Sequence, residues 1–265
     1  MVLLSPTEMS IGLLPVRRRV TRPGFYFLPL ILLAVIAGTT TPLSAQQRVS
    51  KRYTAGKNVR IELRNISGTI TVESWDRDEI KLTATMESPS ATVSPKQMDQ
   101  SLIIDVIGDN RGRADVGDVN FRLQVPHSSS VDLETRRGQI YVSNLRGAWV
   151  RAHVSSEGDI ELTGISAVQV MAQNTIGNIF FDGEFSRGGT YEFKSGKGDI
   201  TIRIPGDSAF KLVANSPTRK ITLGQFWNNN FKNLGDGRKF VGDVGDGRAS
   251  VSVTNFSGGI TFIRK

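Results

Sequence analysis

The chain has no cysteine. This excludes disulfides, thiolate metal ligands and cysteine nucleophiles, and it removes the residue to which a bacterial lipoprotein attaches its lipid. Histidine is nearly absent as well, with only His127 and His153, which lack metal-ligand spacing to each other. His127 follows Pro126 in a turn and His153 lies on the polar phase of an alternating run, so neither reads as a catalytic base. Gly-x-Ser-x-Gly, His-Glu-x-x-His and a phosphate loop ending in Gly-Lys-Ser or Gly-Lys-Thr are all missing, which leaves no motif-bearing enzyme class. No cofactor and no resident metal are expected. A strong charge bias is lacking too: the net charge of +8 falls to +5 beyond residue 45, where 29 basic residues face 24 acidic ones. The basic residues form no stripe and no aromatic platform lies among them, so nucleic acid is not an expected partner.

What is abundant is glycine, at 27 of 265 residues, and over residues 131–204 it recurs in one phrase. Arg137-Gly138-Gln139-Ile140, Glu157-Gly158-Asp159-Ile160, Ile176-Gly177-Asn178-Ile179 and Lys197-Gly198-Asp199-Ile200 place glycines 20, 19 and 21 residues apart. Each phrase lies between short alternating runs, such as Val150-Arg151-Ala152-His153-Val154 before one and Ile200-Thr201-Ile202 after another. A strand-turn-strand unit of this length cannot bury its apolar face alone, and stacking the units is the remedy. The isoleucines after the glycines would then form a column about 4.8 Å apart. Glycine suits the corner because it accepts positive φ and adds no side chain. The next residue in each phrase, Gln139, Asp159, Asn178 or Asp199, would point out of the corner as a polar ladder. Gly68 and Gly258 carry outlying copies of the phrase. The expected fold is all-β, a single-stranded parallel β-helix of about ten coils of roughly 20 residues each.

Around this core, Arg17, Arg18, Arg19 and Arg22 precede an apolar run at residues 25–38, and small residues then end at Ala45. Residues 1–45 read as a signal peptide or as an uncleaved anchor; in either case the folded part is exported. Residues 46–58 are polar and read as a flexible lead-in. The β-domain is expected over 59–265, with residues 88–100, rich in serine and proline, as a loop and residues 226–248 as an inserted loop. That second loop holds Asn228-Asn229-Asn230 and two copies of Gly-Asp-Gly-Arg.

Three constellations remain. Asp159 and Asp199, two coils apart, would lie ~9.6 Å from each other, near the upper limit for an inverting glycosidase pair. The competing reading is a ladder bonded to backbone. Asp236, Asp243 and Asp246 raise calcium, but the spacing departs from a β-roll motif, and Arg238 and Arg248 oppose a cation. Phe226, Trp227, Phe231 and Phe240 either form a contact surface or fold back over the open end of the stack.

The succession of pieces resembles a known family. A glycine-isoleucine corner is followed by Trp75-Asp76-Arg77-Asp78, and then by Leu123-Gln124-Val125-Pro126 running into the stretch 131–140. Serial coils and Ser257-Gly258-Gly259-Ile260 complete it. Over about residues 59–263 it resembles the bacterial domain family labelled "putative adhesin", akin to the head domains called GIN. That resemblance implies a right-handed single-chain β-solenoid in the cell envelope, periplasmic, surface-bound or secreted, and brings no catalytic residues with it. The expected work is non-enzymatic binding or scaffolding with an envelope protein or polysaccharide as partner. The rival reading is a carbohydrate-active enzyme on the same scaffold.

Overall fold

In the computed structural model, residues 47–87, 91–108 and 117–265 are described. The segment read as a signal peptide or anchor lies outside them. The strands are β1 (Gln47–Thr54), β2 (Arg60–Ser67), β3 (Ile70–Trp75), β4 (Glu79–Met86), β5 (Ala91–Met98), β6 (Ser101–Gly108) and β7 (Val119–Pro126). There follow β8 (Ser130–Arg137), β9 (Ile140–Ser143), β10 (Trp149–Glu157), β11 (Ile160–Ile165), β12 (Gln169–Ile176), β13 (Ile179–Gly183), β14 (Thr190–Lys197) and β15 (Ile200–Ile204). The last are β16 (Phe210–Asn215), β17 (Ile221–Thr222), β18 (Lys232–Leu234), β19 (Lys239–Val244), β20 (Ala249–Ser257) and β21 (Ile260–Arg264), with one 3-10 turn at Gly224–Phe226.

These strands make two sheets. The first runs β1-β4-β7-β3-β9-β11-β13-β15-β21-β17 and the second β18-β19-β16-β20-β14-β12-β10-β8-β2-β6-β5. Alternation explains the layering: β2 buries Ile61 and Leu63 while Arg60 and Arg64 face water, and β14 buries Tyr191 and Phe193 while Glu192 does not. Behind the corner glycines, Ile70, Ile140, Ile160, Ile179, Ile200, Ile260 and Ile221 are aligned strand to strand in the first sheet, all buried. Burying each such side chain contributes about 1.5–3 kcal/mol.

Two expectations about the fold are corrected. The sheets are mixed, not uniformly parallel: eight strands of each pair in parallel, but β1, β4, β5, β18 and β19 join antiparallel at the edges. Nor do the layers follow chain order outside the four middle ones, β8 to β15. β20 pairs with both β14 and β16, and β21 with both β15 and β17, so the last strand pair lies inside the stack. In the same way β2 and β3 pair directly with β8 and β9, while β6 and β7 lie on their far side. Non-sequential order arises because identical inward rows of apolar residues fit any neighbour, and the connecting hairpins decide which one.

Segments read as loops also differ. Gln47–Thr54, taken as a lead-in, pairs along its whole length with β4. Ala91–Met98 pairs with β6 despite Pro95, which an edge strand tolerates. The stretch 226–248 contains β18 and β19, which extend the second sheet beyond β16.

Candidate binding surface

The corner is built from the inside outward. Gly68, Gly138, Gly158, Gly177, Gly198 and Gly258 all have positive φ, between 111° and 159°. A Cβ on any of the last five would collide with the carbonyl oxygen of the glycine one layer below. Within the core, a second column of small polar residues lies beside those carbonyls and bonds to several of them. Asn65, Thr135, Asn174, Ser195 and Asn255, each three residues before its glycine, are buried, and Ser216 takes the same place beside Asn255. Asn174 Nδ2 donates to Gly158 O (3.1 Å), Ser195 Oγ to Gly177 O (3.2 Å), Asn255 Nδ2 to Gly198 O (2.7 Å) and Ser216 Oγ to Gly258 O (2.7 Å). Sequence reasoning missed this column, although its signal, a small polar residue three positions before the corner, was present. In β10 the place is taken by Val154, because a bulge between Val154 and Glu157 shifts the register.

Outside the corner, the polar ladder is wired to backbone. Asp159 Oδ1 accepts the N–H of Asn178 (2.6 Å), Asn178 Oδ1 that of Asp199 (2.9 Å), and Asp199 Oδ1 that of Gly259 (2.8 Å). Asn120 Oδ1 does the same for Thr69 at 2.8 Å. Gln139 occupies the column without a side-chain hydrogen bond among the described residues. Asp159, half-buried, and Asp199, exposed, thus each have one oxygen occupied by the neighbouring layer.

The opposite corner carries a clasp the sequence did not suggest. His127 Nδ1 lies 2.7 Å from Ser74 Oγ and Nε2 lies 2.9 Å from Asp76 Oδ1, while Ser74 Oγ donates to Asn144 O at 2.6 Å. The order Ser-His-Asp is that of a nucleophilic triad, but the serine proton is engaged by a carbonyl and the Asp76 side chain is 96% exposed. The group joins the ends of β3, β7 and β9. His153 Nδ1 sits 3.7 Å from Glu134 Oε1 on the outer face of the second sheet.

The aromatic stretch folds back. Phe226, Phe231 and Phe240 are buried, Phe226 against Phe210 (5.9 Å between ring centroids) and Phe262 (6.4 Å). Trp227 stacks on Phe231 at 5.9 Å and is alone among the four in being exposed. Asp246 pairs with Arg248 and Asp236 lies 3.9 Å from Lys220 Nζ. Among the described residues no group of three or more histidines or carboxylates could hold a metal ion.

One carboxylate is buried among cations. Burial by itself raises the Asp182 carboxyl, yet hydrogen bonds and charges from Lys265 and Arg203 hold it below its ordinary value. Arg203 Nε lies 3.0 Å from Asp182 Oδ2, and Lys265 Nζ 2.5 Å from Oδ1. Elsewhere on the surface, Trp149, Arg151, Gln169, Met171, Thr190 and Glu192 line a shallow depression of about 280 Å³ on the second sheet.

No protein-family model matches the chain, and no curated protein matches it. Solved structures do. A "putative cell adhesion protein" from Clostridium sporogenes is similar at a TM-score of 0.52 and 12% identity, over 83% of this chain and 100% of that one. A "putative adhesin" from Bacteroides fragilis gives a TM-score of 0.40 at 12% identity, over 83% of this chain and 99% of that one. At this identity, the first likeness establishes a shared all-β fold of two large mixed sheets.

Proposed function

We propose that the chain is an exported, non-enzymatic module of the bacterial cell envelope that binds or scaffolds a protein or polysaccharide. The parallel middle of the stack is read as a β-solenoid segment closed by antiparallel strands. The observation that carries the reading is the state of the corner carboxylates. Asp159 and Asp199, the best-placed pair for sugar chemistry, each give an oxygen to a backbone N–H of the next layer, and the depression that Asp159 lines does not include Asp199. A general acid and base need free, facing carboxyls around a bound sugar. Long regular faces of in-register polar residues suit contact with an extended partner better than enclosure of a small ligand. The name of the Clostridium sporogenes structure adds weak support.

The test is a pull-down of the purified protein against peptidoglycan, polysaccharide and membrane-protein fractions of the envelope, with release of reducing sugar assayed alongside. Retention without release is expected. Sugar release that disappears in D159N or D199N would replace this reading with a carbohydrate-active enzyme.

A further inference from the structure

Strands β10, β12 and β14 run side by side in register, and their outward residues form two short rows across the second sheet. One row is Trp149, Gln169 and Thr190; the other is Arg151, Met171 and Glu192. Between them lies the depression of about 280 Å³. The Arg60 guanidinium sits 5.0 Å from the Trp149 ring centroid and covers one side of it, which steadies the ring. Arg151 Nη1 is held 3.3 Å from Asp132 Oδ2. Gln169 and Glu192 have no side-chain hydrogen bond or ion pair among the described residues.

We infer that this depression is a subsite for a linear, uncharged polysaccharide, a proposal that rests on the binding reading above and narrows its partner. Trp149 and Met171 offer apolar surface of the kind the C–H face of a sugar ring covers. Around it stand a multiple donor, Arg151, an acceptor, Glu192, and two groups that do both, Gln169 and Thr190, which together match hydroxyls that donate and accept. Arg60 and Arg151 are each answered by a carboxylate, Glu62 and Asp132, so among the described residues the one uncompensated charge at the site is that of Glu192, and nothing there draws a polyanion. Both rows cross three strands spaced about 4.8 Å apart, which gives the site the length of a run of linked rings. Because the ring and Arg151 are already fixed by Arg60 and Asp132, little ordering is left for the moment of binding.

Calorimetric titration of the purified full chain with cellohexaose and chitohexaose, with polygalacturonate as the charged comparator, tests the proposal. Saturable binding to at least one neutral hexasaccharide is expected, weakened about tenfold or more in W149A. E192Q, which breaks no contact within the fold, should weaken it several-fold at an unchanged thermal midpoint, and W227A should leave it as it was. Binding confined to polygalacturonate, binding to neither hexasaccharide, or wild-type affinity in both W149A and E192Q would overturn the subsite. If the hexasaccharides fail while an envelope fraction still retains the protein, the subsite falls and the binding reading stands. Loss of both overturns both.

Discussion

A valine at Gly158 would have to adopt a φ of 153° with its Cβ inside the carbonyl of Gly138. G158V is therefore expected to cost several kcal/mol, and G177V, at a φ of 135°, a similar amount, read as a fall in thermal midpoint. The buried amides behind the corner make a smaller, separable contribution. Asn255→Ala leaves the carbonyls of Gly198 and Gly259 without their side-chain donor and should cost about 1–3 kcal/mol, with Asn255→Ser recovering part of it. Asp182 gives a pH signature. Its carboxyl is lowered in the folded state, so it stabilises the protein above the unfolded value near pH ~4, and that contribution is lost as pH falls through the folded value. Calorimetry should find D182N less stable than wild type at neutral pH, with the gap closing below about pH 4. At this scale the sequence was informative where sterics leave one answer, as at the corner glycines. It was silent about Ser74, His127 and Asp76, because a clasp between the ends of three strands distant in sequence has no local signature.

Single strands were legible wherever inward and outward residues alternate, as in β2, β10 and β14. They were illegible at β1 and β5, where edge position, not pattern, supplies the pairing: β1 is mostly exposed and β5 contains a proline. The order of the four middle layers was legible from the glycine spacing, but where the first and last strands insert was hidden, since Ile200 fits against Ile179 and Ile260 equally well. This leads to a prediction at the level of elements. In a stack built in chain order, removing the last pair would trim an end. Here a chain ending at residue 248 lacks β20 and β21 and leaves β14 and β15 facing β16 and β17 across an empty layer. Hydrogen exchange should show lost protection throughout β14 to β19 in such a truncation; protection lost only in β16 to β19 would contradict the pairing described.

For the molecule as a whole, both sheets end in strands with one side unpaired among the described residues, β1 and β17 in one, β18 and β5 in the other. Such edges invite pairing between molecules unless charge intervenes. Arg48, Lys51 and Arg52 supply it on β1, all exposed. Replacing the three with threonine should increase self-association relative to the wild type by light scattering, at little change in thermal midpoint. The balanced surface, by contrast, was visible from composition alone, whereas the depression at Trp149 emerged only once β10, β12 and β14 were set side by side.

The inward place of the last strand pair has a consequence for the nascent chain. As the ribosome delivers residues in order, β14 and β15 emerge well before the strands that will cover them, and β16 and β17 have no layer to rest on until β20 and β21 arrive. Spatial order thus lags behind synthetic order, and the polypeptide stays open at that gap until the final residues are free. The layers up to β15 have all their other partners by then, so the delay falls on the last layers alone, which close together in one late step.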